Sequence, residues 1–324
     1  MVLPHSLYID GIANFINYPR SLIRILHRRV IGNVYIPALW NAMPLKCDEI
    51  FPVVVFSHGL GGCRTSYSTI ALELASQGYI VACLEHRDHS ACLSYYFKKA
   101  RVSSRGTLPG ADLSEIDFCE VDGKFDWESG DEEKDENEDW VDLEDDLEEA
   151  DGVIKDSSRI SVGKLSGISD VAKEWVFYRR IRRKKDEYTI RNKQAKQRAR
   201  DCSHALDILE DLNRGRQIKN ILDHHFDSTL FQGTMDLSKA AVAGHSFGGS
   251  TVILALAMEL RFKLGLALDC WMFPLRENQD LFSMVTQPIL FINMEKFQTW
   301  ENLDVMKNLE TEEIERKVVT IKLV

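Results

Sequence analysis

Short apolar runs bounded by turn residues recur along the chain. Each reads as a buried strand of a parallel sheet: residues 52–56, 79–84, 240–243, 264–268, 288–292 and 317–324. Between them the spacing becomes helical. Residues 66–77 gather Tyr67, Ile70, Leu72 and Leu74 before a terminating Gly78, and 249–259 is an apolar stretch suited to packing on a sheet. Residues 173–212 read as one or two long polar helices, with the basic run at 179–185 on a solvated face; a nuclear-targeting signal is the alternative for that run. Strands alternating with helices predict an α/β fold, a parallel sheet covered on both faces.

The pattern fails between residues 101 and 170, where Ser, Gly, Asp and Glu dominate and apolar groups are too few to offset chain entropy. The expectation is a disordered acidic insertion at 101–170, inside one discontinuous domain made of 1–100 and 171–324. Trp140, Val141, Leu143 and Leu147 leave a short helix or docking motif as the alternative. This segment also changes the meaning of the net charge. Residues 112–151 carry a local balance of −19 within a total of −10, so the rest of the chain stands at +9. A basic body favours an anionic interface, a lipid surface or nucleic acid, unless the acidic segment masks it.

The seven cysteines, including Cys119, show no C-x-x-C spacing, and an odd count fits free thiols better than a disulfide framework. The N-terminus has no secretory pattern and no apolar run reaches the roughly 18 residues of a membrane span, which predicts a cytoplasmic protein. Residues 11–32 add a peripheral membrane option. Ile12, Phe15, Ile16, Leu22, Ile23, Leu26 and Val30 are apolar, Arg20, Arg24, Arg28 and Arg29 are basic, and Pro19 suits a first helical turn. An ordinary core-facing helix is the competing reading.

Three stretches carry chemistry. Gly244-His245-Ser246-Phe247-Gly248 is a G-x-S-x-G pattern set between an apolar strand and a helix, where small glycines permit a tight turn that lifts a serine hydroxyl above the sheet edge. A glycine-rich structural turn is the bland alternative. A second strand runs into His58-Gly59-Leu60-Gly61-Gly62, so the amides of Leu60 and Phe247 are the expected oxyanion donors. Asp269 ends a third strand, where a histidine-orienting carboxylate belongs in the order Ser, acid, His; a helix cap would use the same residue type. A metal site at His86, Asp88 and His89 is not expected.

Taken together, FSHGLGGCRTSYSTIALELASQGYIVACLEHRDHSA, IRNKQAKQRARDCSHAL, AVAGHSFGGSTVI and RFKLGLALDCWMFPL resemble the platelet-activating-factor acetylhydrolase family of the plasma and intracellular serine-dependent type. The resemblance covers nearly everything outside 101–170. It implies an α/β-hydrolase fold, mainly parallel, with helices on both faces. It also implies calcium-independent removal of a short or oxidised acyl group from the second glycerol carbon of a phospholipid, with no cofactor. Ser246 would be the nucleophile, Asp269 the acid, Leu60 and Phe247 the oxyanion donors, and His58 and Trp271 part of the substrate pocket. Phe15, Leu22, Ile23 and Leu26 fall where the family's membrane-contacting helix lies. The expected partner is a phospholipid at a lipid interface rather than nucleic acid; the oligomeric state is not legible.

One departure matters. The family presents its catalytic histidine after the strand that follows Asp269, whereas the last histidine here is His245 and ERKVVTIKLV resembles the strand leading to the missing position. The expectation is a chain shortened before its base, with impaired turnover and an uncovered apolar edge at Val318, Val319, Ile321 and Leu323. His245, His58, His86 and His89 are poor substitutes, because a base must reach within about 3 Å of the serine oxygen while bonded to the acid. A non-catalytic lipid-binding or regulatory relative, or a carboxylesterase on soluble esters, are the alternatives.

Overall fold

The computed structural model describes residues 2–45, 47–99, 171–181, 184–223 and 225–322. The acidic segment at 101–170 and Cys119 within it lie outside these residues. In chain order the elements are α1 (Leu7–Ile16), α2 (Arg20–Leu26), β1 (Phe51–Ser57), α3 (Ser68–Ser76), β2 (Ile80–Cys83), β3 (Leu93–Lys99) and β4 (Val171–Phe177). There follow α4 (Lys184–Asn213), β5 (Met235–His245), α5 (Phe247–Met258), β6 (Leu264–Leu268), α6 (Gln279–Phe282), β7 (Ile289–Met294), α7 (Trp300–Lys307) and β8 (Arg316–Ile321). One compact unit comprises Met1–Tyr96 and Glu174–Val324, and a second comprises Phe97–Lys173.

All six predicted strands pair in parallel in the order β2-β1-β5-β6-β7-β8, giving the α/β-hydrolase fold. Side chains alternate across a strand, and β1 shows the consequence on both faces. Val53 and Val55 join the large core formed with α4, α5 and α7, while Val54 and Phe56 join Tyr67, Ile70 and Leu74 from the α3 side. Helix α5 is buried from Phe247 to Ala257. It lies between the sheet and α4, whose Ala195, Ala199, Cys202 and Leu206 repeat at helical spacing, the first three small enough for close approach. The chain leaves β1 for β2 on one side and returns to β5 on the other. A crevice therefore opens at the carboxyl ends of β1 and β5, the position where parallel sheets bind ligands.

Several expectations change. Residues 173–177 belong to strand β4, which pairs with β3 in a separate two-stranded sheet, so the long helix starts only at Lys184. Periodicity alone missed this pair because each strand depends on a partner some eighty residues away. Arg179, Arg180 and Ile181 of the basic run accordingly lie before the helix while Lys184 and Lys185 open it, and Arg180 Nη2 donates to the Asn14 carbonyl at 2.6 Å. The N-terminal stretch is two helices rather than one. Asn17 takes a left-handed conformation (φ 63°) to end α1, and Pro19 caps α2, which runs on into a π-turn at His27–Ile31. Among the described residues no helix is long and apolar enough to cross a membrane. Val318, Val319 and Ile321 are exposed on the edge strand β8, and the six described cysteines are free thiols.

Candidate active site

The turn between β5 and α5 is held against both neighbouring strands. Ser246 has φ 55° and ψ −113°, a strained conformation for a residue with a side chain. Its N–H donates to the Leu268 carbonyl at 2.9 Å, and its own carbonyl accepts from Gly249 at 2.9 Å and Trp271 at 3.0 Å. The glycines are required by space. A Cβ on Gly244 would collide with the Gly248 carbonyl, and a Cβ on Gly248 with the Ser57 carbonyl of β1. The serine is therefore presented, half-buried, at the positive end of a twelve-residue helix.

The loop after β1 closes the other side of the crevice. Gly59 N–H donates to the Tyr67 hydroxyl at 3.1 Å, Gly61 N–H to the Ser90 carbonyl at 2.8 Å and Gly62 N–H to the Gly59 carbonyl at 3.0 Å. Leu60 N–H lies between these and has no protein acceptor among the described residues. Phe247 N–H, at the first position of α5, is one of the amides that a helix start leaves unpaired.

Asp269 also has a positive φ, 45°, so its carboxylate turns back toward the end of β5. One oxygen accepts Met294 N–H at 2.6 Å, and the other lies 3.5 Å from His245 Nε2. The second ring nitrogen of His245 meets the Tyr67 hydroxyl at 2.8 Å. Both nitrogens of this histidine are thus engaged, one by the acid and one by a tyrosine, and neither is left for Ser246. Partial burial lowers the His245 pKa against the opposing pull of Asp269.

Below the loop lies a buried polar layer that sequence reasoning missed. His86 Nε2 meets Ser57 Oγ at 2.9 Å, and its Nδ1 meets Asp201 Oδ2 at 2.7 Å. His58 is 1% exposed, accepts the His86 N–H on Nε2 at 3.2 Å and faces Arg198. Its ring points into the protein, where burial first and the Arg198 charge second hold its pKa well below the usual range. His86 is depressed for the same two reasons in the same order. The only sequence signal was the cluster of charged residues in an otherwise apolar neighbourhood. His89 instead contacts the Phe177 carbonyl at 3.1 Å, so the two histidines of the HRDH stretch do not converge.

Trp271 lies beside the serine turn, edge-on to Phe247 and stacked on Phe273 at 5.5 Å. With Phe273, Arg276, Phe297 and Trp300 it lines a cleft of about 570 Å³. Of the residues expected at a lipid interface, Leu22 and Leu26 are exposed by 51% and 47% and Ile23 is half-buried. Phe15 is turned inward, packing against Gly61 of the loop and the Tyr178 ring.

The match to the family described as platelet-activating factor acetylhydrolase, isoform II spans residues 1–323. The chain belongs to that family. Platelet-activating factor acetylhydrolases of chicken (Gallus gallus) and dog (Canis lupus familiaris) are 36% and 35% identical over 320 residues, 99% of this chain. The chain spans 62% and 56% of those relatives' lengths, less than two thirds of each. A shorter match, 43% over 61 residues, covers 16% of this chain and 14% of a putative phospholipase A2 of Schizosaccharomyces pombe. Among solved structures, a ferulic acid esterase from Streptomyces cinnamoneus aligns over 85% of this chain and 52% of that chain at 15% identity, with a TM-score of 0.41.

Proposed function

We propose that this family member is a serine-dependent, calcium-independent ester hydrolase that removes short or oxidised acyl groups from the second glycerol carbon of phospholipids. One observation carries the reading: a strained serine sits at the strand-to-helix turn, its N–H and carbonyl tied to Leu268 and Trp271 on either side of Asp269 at the end of the next strand. Attack by Ser246 Oγ on the ester carbonyl would develop negative charge that the Leu60 and Phe247 amides are assigned to receive, and one such donor is worth about 2.7–4 kcal/mol. The alcohol leaves, and water then hydrolyses the acyl-Ser246 ester.

The histidine expected between Ser246 and Asp269 is not supplied by His245 in this arrangement, since its two nitrogens are already engaged. The 324 residues alone are therefore expected to acylate slowly. An alkyl fluorophosphonate should label the chain at Ser246, with loss of labelling in Ser246→Ala, and acetate release from a 2-acetyl phosphatidylcholine should be slow. Labelling that survives Ser246→Ala rejects the reading.

The exposed Leu22, Ile25 and Leu26 on α2 favour contact with a lipid surface, because none of the residues of that helix is buried. Sedimentation with vesicles containing phosphatidylserine tests it. Binding should fall in a Leu22→Glu, Leu26→Glu double variant, and unchanged sedimentation would reject the assignment. Binding without any labelling of Ser246 would instead favour the non-catalytic lipid-binding reading.

A further inference from the structure

We propose that Arg198, a fully buried guanidinium on α4, is a positioning residue for the oxyanion hole. It would clamp the Leu60 loop and the Phe247 turn onto one fixed positive charge. The proposal rests on the reading of Ser246 as nucleophile.

One side chain reaches both segments. Nη1 donates to the His58 carbonyl at 2.7 Å and Nη2 lies 3.1 Å from His58 Nδ1, two residues before Leu60. Nε donates to Ser90 Oγ at 3.0 Å and to Asp88 Oδ2 at 3.2 Å. The Ser90 carbonyl accepts Gly61 N–H at 2.8 Å, so the loop is held on either side of Leu60. The guanidinium carbon, Cζ, lies over the Phe247 ring at 4.4 Å from its centroid. Both amides assigned to the oxyanion therefore belong to residues or loops that touch Arg198.

Packing does not require this charge. The residues beside it on the same face of α4, Ala195, Ala199 and Cys202, are small and apolar members of the core that α4 shares with α5. Burying a cation costs several kcal/mol, which Asp88, 3% exposed, offsets. A guanidinium supplies what an apolar side chain cannot: a rigid fork of donors that fixes two backbone segments, and a positive potential behind the site of developing negative charge. His58 and His86 are kept neutral by burial, so they serve this layer as hydrogen-bonding groups. One turn further along α4, Asp201 reaches Ser57 through His86 and ties down the end of β1 from the same helix.

Capture of the full 324-residue chain by an alkyl fluorophosphonate tests this directly. In that reaction the Ser246 Oγ–P bond forms as the P–F bond breaks, fluoride leaves, and the hydroxyl proton passes to water, while the phosphoryl oxygen occupies the oxyanion hole. The concentration dependence of labelling separates probe affinity from the first-order bond-forming step. Arg198→Lys, which keeps the charge without the fork, and Arg198→Met should slow that step by roughly 10- to 100-fold, with Met the slower. Probe affinity should stay within about threefold and thermal unfolding should remain cooperative. Where Arg198→Met does not fold, Arg198→Lys decides. A folded variant with the wild-type first-order constant overturns the proposal, whereas labelling of Ser246→Ala would overturn the nucleophile assignment beneath it.

Discussion

His245 and Asp269 face each other across the ends of β5 and β6, with Nε2 3.5 Å from Oδ2. The contact extends through Tyr67 to the amide of Gly59, so the acid and the oxyanion loop share one hydrogen-bonded path. A tyrosine on the approach to α3 thereby bears on a site built from β1, β5 and β6.

Tyr67→Phe keeps the ring against Phe56 and removes only the hydroxyl. Gly59 N–H is then left buried without its acceptor, which costs about 1–3 kcal/mol. Urea unfolding should show that loss, and fluorophosphonate capture should slow because the loop beside Leu60 is less well held. Wild-type stability and capture together would show that the path is dispensable.

Gly248→Ala should be among the more damaging single-methyl additions in the chain. The new Cβ would meet the carbonyl of Ser57, the last residue of β1, a backbone atom that cannot turn aside. Overpacking of this kind costs about 1–3 kcal/mol or more. A melting temperature unchanged from wild type would contradict the packing of β1 against this turn.

Acid should destabilise the fold through His86. Its folded pKa is depressed well below 6.5, so at pH above 6.5 neither folded nor unfolded chain carries the proton, and no penalty arises. As pH falls through 6.5 the unfolded chain takes up a proton that the folded chain refuses, and stability is lost at up to about 1.4 kcal/mol per pH unit. Asp201, which bonds His86, is raised by burial, as is nearby Glu85, and both oppose this trend; Arg198, Asp88 and His58 complete the surroundings. The comparison is therefore with His86→Gln, whose stability between pH 7.5 and 5.5, followed by urea unfolding, should fall less steeply than that of the wild type. Parallel slopes would show that His86 titrates normally.

Trp271→Ala removes the wall between the serine turn and the aromatic cleft. Burial of an aromatic ring against a ligand chain is worth roughly 1.5–3 kcal/mol. Affinity for a longer alkyl fluorophosphonate should weaken about tenfold, with a smaller effect on a methyl analogue. Equal effects on both probes would place the alkyl chain elsewhere.

Much of this protein was readable from local pattern. Apolar runs of four to eight residues separated by helical spacing have few solutions other than a covered parallel sheet, and the turn chemistry at Gly244–Gly248 and Gly59–Gly62 constrains the backbone within five residues. Ser246, Asp269 and the two candidate amides follow from such local rules. Where the side chains go was a different matter. His58 and Phe15 were legible as members of the site neighbourhood, yet their rings turn inward, because rotamers are set by what packs around them. The two-stranded sheet, the Tyr67–His245–Asp269 path and the Arg198 layer join residues tens to nearly two hundred positions apart in the chain. Residue types at those positions hold no record of one another; burial beneath the carboxyl ends of the strands brings them within hydrogen-bonding distance, and only the tertiary structure decides that.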